Sequence, residues 1–297
     1  MSGHTHTARI ELSESALRRN VRFLRRVIGK DVAFSSVVKG NAYGHGIEAF
    51  VPLAERCGVK HFSAFSADEA SRILSCKSRR TDVMIMGDMP NAAVDWAVAQ
   101  GVSFYVFEPN RLTRAIKVAR RLGRPARVHL ELETGLHRTG LEKRTLDKVI
   151  RQIIEADGAV SVEGICTHFA GAESVSNYVR IQKQNDAFRR LAAYVDSQGI
   201  SPKRRHTACS AAALNYPETR LDMVRFGIAQ YGFWPTRETR MQYYMRKGRA
   251  PGGRDDPLKR VMSWKSRVMS LKRIRSGDFV GYGTSYQASR AQRLAAV

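Results

Sequence analysis

VAFSSVVKGNAYGHG, residues 32–46, joins an apolar, β-branched run to a glycine-rich turn through one lysine, Lys39. Val32 to Val38 has the composition of a short buried strand. Gly40, Gly44 and Gly46 then interrupt it, and the stretch 47–57 that follows has helical spacing. The unit is strand, turn, helix, with an ammonium group placed at the edge of the interior.

The same unit recurs along the chain. Apolar runs at Val32 to Val38, His61 to Phe65, Val83 to Met86, Ser103 to Phe107, Ala126 to Leu132, Val160 to Thr167, His206 to Ala208 and Met223 to Ala229 alternate with helical patterns. Those patterns cover 47–57, 68–75, 91–100, 110–122, 143–156, 176–198 and 211–215. Regular βα alternation predicts a parallel sheet. Eight units in roughly 250 residues match a (β/α)8 TIM-type barrel. A doubly wound open sheet is the structural alternative, but no G-x-G-x-x-G follows the first strand to favour its dinucleotide-binding form. Ahead of the repeats, 13–28 reads as a helix, with Ser13 as N-cap, Leu17, Val21, Leu24 and Ile28 on one face, and Gly29 ending it.

Near residue 236 the character changes. Residues 236–260 are charged, contain Pro251, Gly252 and Gly253, and read as a linker with no core of its own. Short β-type runs follow at Val261 to Trp264, Val268 to Ile274, Phe279 to Tyr282 and Leu294 to Val297. The expected organisation is a barrel over 8–235, a linker over 236–260, and the start of a C-terminal β-rich domain over 261–297. Ending on the apolar run RLAAV, that domain is expected to be truncated.

The chain of 297 residues is 43% hydrophobic and 26% charged, as soluble globular proteins are. No window approaches 18 consecutive apolar residues, and the N-terminus lacks the apolar core of a signal peptide. Cys57, Cys76, Cys166 and Cys209 form no C-x-x-C pair, which fits reduced cytoplasmic thiols rather than disulfides or a zinc site. Fifty Lys and Arg against 27 Asp and Glu give a formal charge of +23. The basic residues are dispersed and not interleaved with aromatic stacking platforms, which argues against nucleic acid as a partner and for basic faces of nonspecific affinity.

In a barrel of this type the working residues sit at the C-terminal ends of strands. Lys39, the group Glu131, Glu133, His137 and Arg138, then His168, Cys209 with Ser210, and Arg225 all fall there. Singly, each has an ordinary reading: surface lysine, hydrogen-bonded histidine, helix N-cap, salt-bridge arginine. Together, at the same end of successive strands, they point to a site. An interior-facing lysine can form a Schiff base. Ser210 and the backbone at Gly227 could hold an anion such as a phosphate.

VVKGNAYGHG resembles the pyridoxal-phosphate lysine motif of the alanine racemase family. HLELETGLHRTGL (129–141), GICTHFAGAE (164–173), HTACSAAAL (206–214), DMVRFGIAQYG (222–232) and VGYGTSYQA (280–288) resemble further family motifs, in the family's order. The resemblance implies a fold-type III barrel with a C-terminal β domain, working as a head-to-tail homodimer with pyridoxal 5′-phosphate. Lys39 would be the Schiff-base lysine and the base on one face of the substrate α-carbon. Tyr282 would act on the opposite face, supplied to the partner's site. Tyr43, Ser210, Gly227 and Ile228 would surround the phosphate. Arg225 would donate to the pyridine nitrogen, and Arg138 would lie near the cofactor's phenolic oxygen and the substrate. His168 would pack by the ring and support the tyrosine, with His168 and Arg225 both supplying positive charge or hydrogen bonds to it. The implied activity is interconversion of L- and D-alanine, supplying D-alanine for peptidoglycan. A serine or broad-specificity racemase, or a non-catalytic cofactor-binding barrel, are the alternatives. Where the family usually has lysine, aspartate and asparagine, this chain has Glu131, Glu133 and Cys209.

Overall fold

The computed structural model describes residues 7–248 and 256–297. The chain divides into a larger unit, Ser13–Val261, and a smaller one made from the chain up to Leu12 and from Met262–Val297. Strands are numbered along the chain, and the first, β1 (Ala8–Leu12), belongs to the smaller unit.

The larger unit begins with the helix Glu14–Ile28, whose N-cap is Ser13: its hydroxyl accepts a hydrogen bond from the Ala16 amide. The predicted apolar face, Leu17, Val21, Leu24 and Ile28, is buried. Eight parallel strands follow: β2 (Ala33–Val37), β3 (His61–Ala64), β4 (Asp82–Ile85), β5 (Ser103–Val106), β6 (Ala126–Glu131), β7 (Val160–Cys166), β8 (Arg205–His206) and β9 (Met223–Phe226). Each lies inside the run expected for it or overlaps it. Their order is β8-β7-β6-β5-β4-β3-β2-β9. The two ends meet where Asp222 N–H donates to Arg205 O and Arg225 N–H to Ala208 O, both at 3.0 Å, and where Cys209 bridges Arg225. The sheet is therefore a closed (β/α)8 barrel. With helices outside and packed side chains within, β3, β5 and β9 are buried at every position, so they read as continuous rather than alternating runs.

The barrel interior departs from the usual filling of branched aliphatic side chains. Ser35, His61, Ser63, His129 and His206 are all buried. Ser35 Oγ lies 2.6 Å from Ser63 Oγ and 2.9 Å from His61 Nδ1. At the N-terminal end of the strands Arg127 grips Asp82 with two hydrogen bonds of 2.8 and 2.6 Å and reaches Glu163, which also takes Lys203 at 2.7 Å.

Part of the expected linker is helical. Arg237–Arg246 is capped by Thr236, whose hydroxyl accepts from Thr239 N–H, and it buries Thr239 and Tyr244. Tyr243 and Tyr244 join Trp234 and Phe23 in a ring cluster, so this charged segment does have a core to pack on. Pro251, Gly252 and Gly253 lie outside the described residues.

The smaller unit is three antiparallel pairs: β1 with β10 (Met262–Ser266), β11 (Ser270–Ile274) with β14 (Gln292–Ala296), and β12 (Phe279–Val280) with β13 (Tyr286–Gln287). Residues 8–12, expected to open the barrel, instead pair with 262–266, and Glu11 binds both Arg9 and Lys265 across that ladder. Among the described residues no helix is long and apolar enough to cross a membrane.

Candidate active site

A cavity of about 690 Å³ opens at the C-terminal end of the barrel strands, built by the larger unit alone. Lys39, Tyr43, Arg138, His168, Ser210, Arg225, Gly227 and Ile228 all line it. Tyr282 belongs to the smaller unit, in the turn after β12, with its side chain fully exposed.

Lys39 follows β2 after Val38. The strand end is tied down by Gln230 and Tyr231, whose side chains each donate to Val37 O at 2.9 Å. After the lysine the backbone makes one left-handed turn: Gly40, Asn41, Ala42 and Tyr43 all have φ between 52° and 61°. Each non-glycine residue in that conformation costs roughly 1–2 kcal/mol. Polar side chains offset it. Asn41 Oδ1 accepts from Ile47 N–H at 3.1 Å and Arg72 Nη2 at 2.7 Å, while Glu69 accepts from Asn41 N–H and Phe65 N–H. The Lys39 side chain is exposed to the cavity and makes no hydrogen bond or ion pair among the described residues.

Across the cavity, Ser210 Oγ accepts from Gly227 N–H at 3.1 Å and from Ala229 N–H at 3.5 Å. Tyr43 leans over the same spot. A Cβ on Gly227 would stand 2.5 Å from its hydroxyl, so a larger residue there would displace the Tyr43 side chain from this position. The Ile228 amide finds no acceptor among the described residues. Hydroxyls and a free backbone N–H converging there suit a phosphate.

Arg225 is buried in the wall and held by four hydrogen bonds. Nη1 donates to His206 Nδ1 at 2.6 Å and His206 O at 2.9 Å; Nη2 donates to Thr167 O at 2.7 Å and Thr207 O at 3.1 Å. Among the described residues no carboxylate pairs with it. Its charge, after burial itself, is what drives the half-buried His168 down to about 3, with Arg138 and Lys39 adding to the effect. His168 is thus neutral near pH 7 and offers hydrogen bonds, not the positive charge expected of it.

The loop bearing Arg138 is pinned by Glu133, which accepts from Gly135 N–H at 2.5 Å and His137 N–H at 3.0 Å. Glu133 therefore holds the loop in place. Glu131 is buried at the cavity wall, and its Oε2 has no partner among the described residues. Burial raises its pKa, against the pull of Thr139, Arg225 and Arg138. Two lining residues had no signal in the sequence. Tyr105, on β5, also presents a buried hydroxyl without a partner, and Thr139 follows Arg138. Tyr105 reads as one more aromatic residue in an apolar strand, and only the barrel closure turns it toward the site.

The residues present fit pyridoxal phosphate: a lysine without a partner among the described residues, hydroxyls and a backbone N–H suited to a phosphate, and a fixed cation, all lining one cavity. Residues 12–235 match the family model "Alanine racemase, N-terminal domain" and 261–297 match "Alanine racemase, C-terminal domain". An alanine racemase of Symbiobacterium thermophilum is 31% identical, over 96% of this chain and 71% of its own length. The crystal structure of alanine racemase from a D-cycloserine-producing Streptomyces lavendulae is 30% identical, with a TM-score of 0.86 over 98% of this chain and 74% of that one. That of Bartonella henselae, with covalently bound pyridoxal phosphate, is 24% identical and shares the fold at a TM-score of 0.79, covering 98% and 75%. Fold, cavity and both family matches lead to one assignment: the chain belongs to the alanine racemase family.

Proposed function

We propose that the chain is a pyridoxal-phosphate-dependent isomerase that interconverts L- and D-alanine. The observation that carries the reading is the pairing of an unpartnered Lys39 with the Tyr43, Ser210 and Gly227 cradle in one cavity. When bound, pyridoxal phosphate supplies an electron sink that makes the substrate Cα–H acidic. Ser210 Oγ, the Tyr43 hydroxyl and the Ile228 amide would hold its phosphate, and Lys39 Nζ would attach its carbonyl carbon.

Inverting a stereocentre by proton transfer needs a proton acceptor on one face and a donor on the other. Lys39 Nζ takes the first role in one direction, and the Tyr282 hydroxyl, supplied by the second copy of a homodimer, takes the opposite face. Arg225, permanently charged, would lie by the ring nitrogen of the bound cofactor and keep it from taking a proton. That would restrain the cofactor's electron demand and limit transamination. Arg138 would meet the cofactor's phenolic oxygen and the substrate carboxylate, on a loop that Glu133 holds in place. Neutral His168 would steady the tyrosine by hydrogen bonding. The product would serve peptidoglycan synthesis in the cytoplasm.

The test is an absorbance spectrum of the purified protein followed by an assay for D-alanine formed from L-alanine. A visible cofactor band with turnover is expected; a band with no turnover would reduce the chain to a cofactor-binding barrel. Mixing and refolding Lys39→Ala with Tyr282→Phe chains tests the shared site. One intact site per mixed dimer predicts recovery of about a quarter of wild-type activity; no recovery would place both residues in one chain's site.

A further inference from the structure

The hydrogen bonds that hold Arg225 continue past it into the barrel, and their direction is determined. A guanidinium only donates. His206 Nδ1, 2.6 Å from Arg225 Nη1, must therefore be the bare nitrogen, and the His206 proton sits on Nε2. His206 Nε2 lies 2.9 Å from His129 Nδ1. With Nε2 as donor, His129 Nδ1 is the acceptor. The order is Arg225 to His206 to His129, running from β9 through β8 to β6 across the barrel interior.

Local structure makes room for this contact. The pairing of β6 and β7 slips at Val128 and His129, so that Val128 faces Val162 but His129 faces Gly164. The bulge brings a glycine opposite the histidine. A Cβ on Gly164 would stand 2.7 Å from His129 Nδ1 and 2.9 Å from Arg204 O. Any larger residue at 164 would push against the nitrogen that receives the His206 proton. Both rings are almost completely buried, at 2% exposure for His129 and none for His206. Burial holds His129 at about 3 and His206 well below the ordinary histidine range, which favours the neutral form of both rings.

We infer that His129 is a positioning residue for the reaction proposed above: by accepting the Nε2 proton of His206 it locks the tautomer that lets Arg225 stay fixed in the cavity wall. Without that acceptor His206 can place its proton on Nδ1 instead, and two donors then face each other at the Arg225 contact. Arg225 loses a bond and its fixed direction. Its grip on the ring nitrogen loosens, and the side reaction it restrains increases. The inference rests on the cofactor-dependent reading; the tautomer itself does not.

Two measurements on the full chain test it. Nitrogen-15 NMR of histidine-labelled wild-type protein reads the tautomer directly. An unprotonated Nδ1 on His206 is expected, and a protonated one overturns the inference whether or not the protein turns over alanine. The second compares pyruvate released by transamination with alanine racemised in the cofactor-loaded protein. His129→Leu removes the acceptor, Gly164→Ala displaces it, and His129→Asn restores an oxygen where Nδ1 stood. The first two should raise the transamination share about tenfold, the size expected for one lost buried hydrogen bond, while His129→Asn stays within about twofold of wild type. Equal ratios in all three variants would make His129 a packing residue and end the proposal. A wild-type protein that takes no cofactor would instead refute the functional reading, leaving the NMR result to decide the tautomer.

Discussion

The two ends of the barrel are built on opposite rules. At the N-terminal end of the strands the charges are closed upon one another: Arg127 binds Asp82 and Glu163, and Glu163 also binds Lys203 and Ser161. Burial works to raise Asp82 and Glu163, yet Arg127 wins and holds both at about 2. At the C-terminal end, polar groups are left open. Among the described residues Lys39 has no partner, and Glu131 Oε2 and the Tyr105 hydroxyl are buried without one. A buried polar atom left unsatisfied costs about 1–3 kcal/mol. One end is closed by ion pairs, while the other leaves polar groups open to the cavity.

Substitutions should separate the two ends. Lys39→Ala should remove covalent cofactor attachment and slow racemisation by about 10⁴-fold or more, with little change in the unfolding midpoint of the cofactor-free protein. Cofactor still covalently fixed to the chain after borohydride reduction would show that another residue holds it. Tyr282→Phe should slow turnover by about 10²–10⁴-fold while the absorbance band survives, since a lost proton donor is not a lost binding group. Loss of the band in step with activity would recast Tyr282 as structural.

Arg127→Met belongs to the closed end. It strands Asp82 and Glu163, and should destabilise the larger unit by about 2–3 kcal/mol in urea while cofactor affinity stays within about twofold. An equal loss of affinity would mean that the two ends are not separable.

A further expectation concerns pH. Burial lowers His61 to about 4 and His129 to about 3, whereas unfolded histidines take protons near pH 6.5. Between about pH 6.5 and 4 the unfolded chain therefore holds more protons, and stability rises with pH. Each such histidine contributes up to about 1.4 kcal/mol per pH unit in that window. His61→Phe should flatten the urea-midpoint profile by about one proton; an unchanged slope would show that His61 is already charged in the fold.

Much of this was legible in the sequence because barrel strands are buried on both faces and announce themselves as short apolar runs. Lys39, Ser210 and Arg225 stand out where polar residues end those runs. What stayed hidden depends on pairing over distance. The strand at 8–12 shows nothing of its partner at 262–266. His129 looks like an ordinary alternating residue in ARVHLE until the slip against β7 aims it at His206. The helix Arg237–Arg246 hides in a charged stretch because its support is a ring cluster contributed by Phe23 and Trp234, not an apolar face of its own.

The left-handed turn after Lys39 has a stereochemical consequence. At Ala42, φ is 56° and the side chain is completely buried, so a larger L-residue would meet both backbone and packing penalties. A mirror-image residue has the reverse preference. Semisynthesis that installs D-alanine at position 42 should relieve roughly 1–2 kcal/mol of backbone strain. The segment that carries the proposed catalytic lysine is thus one place in this chain where the right-handed rule of L-amino acids is suspended.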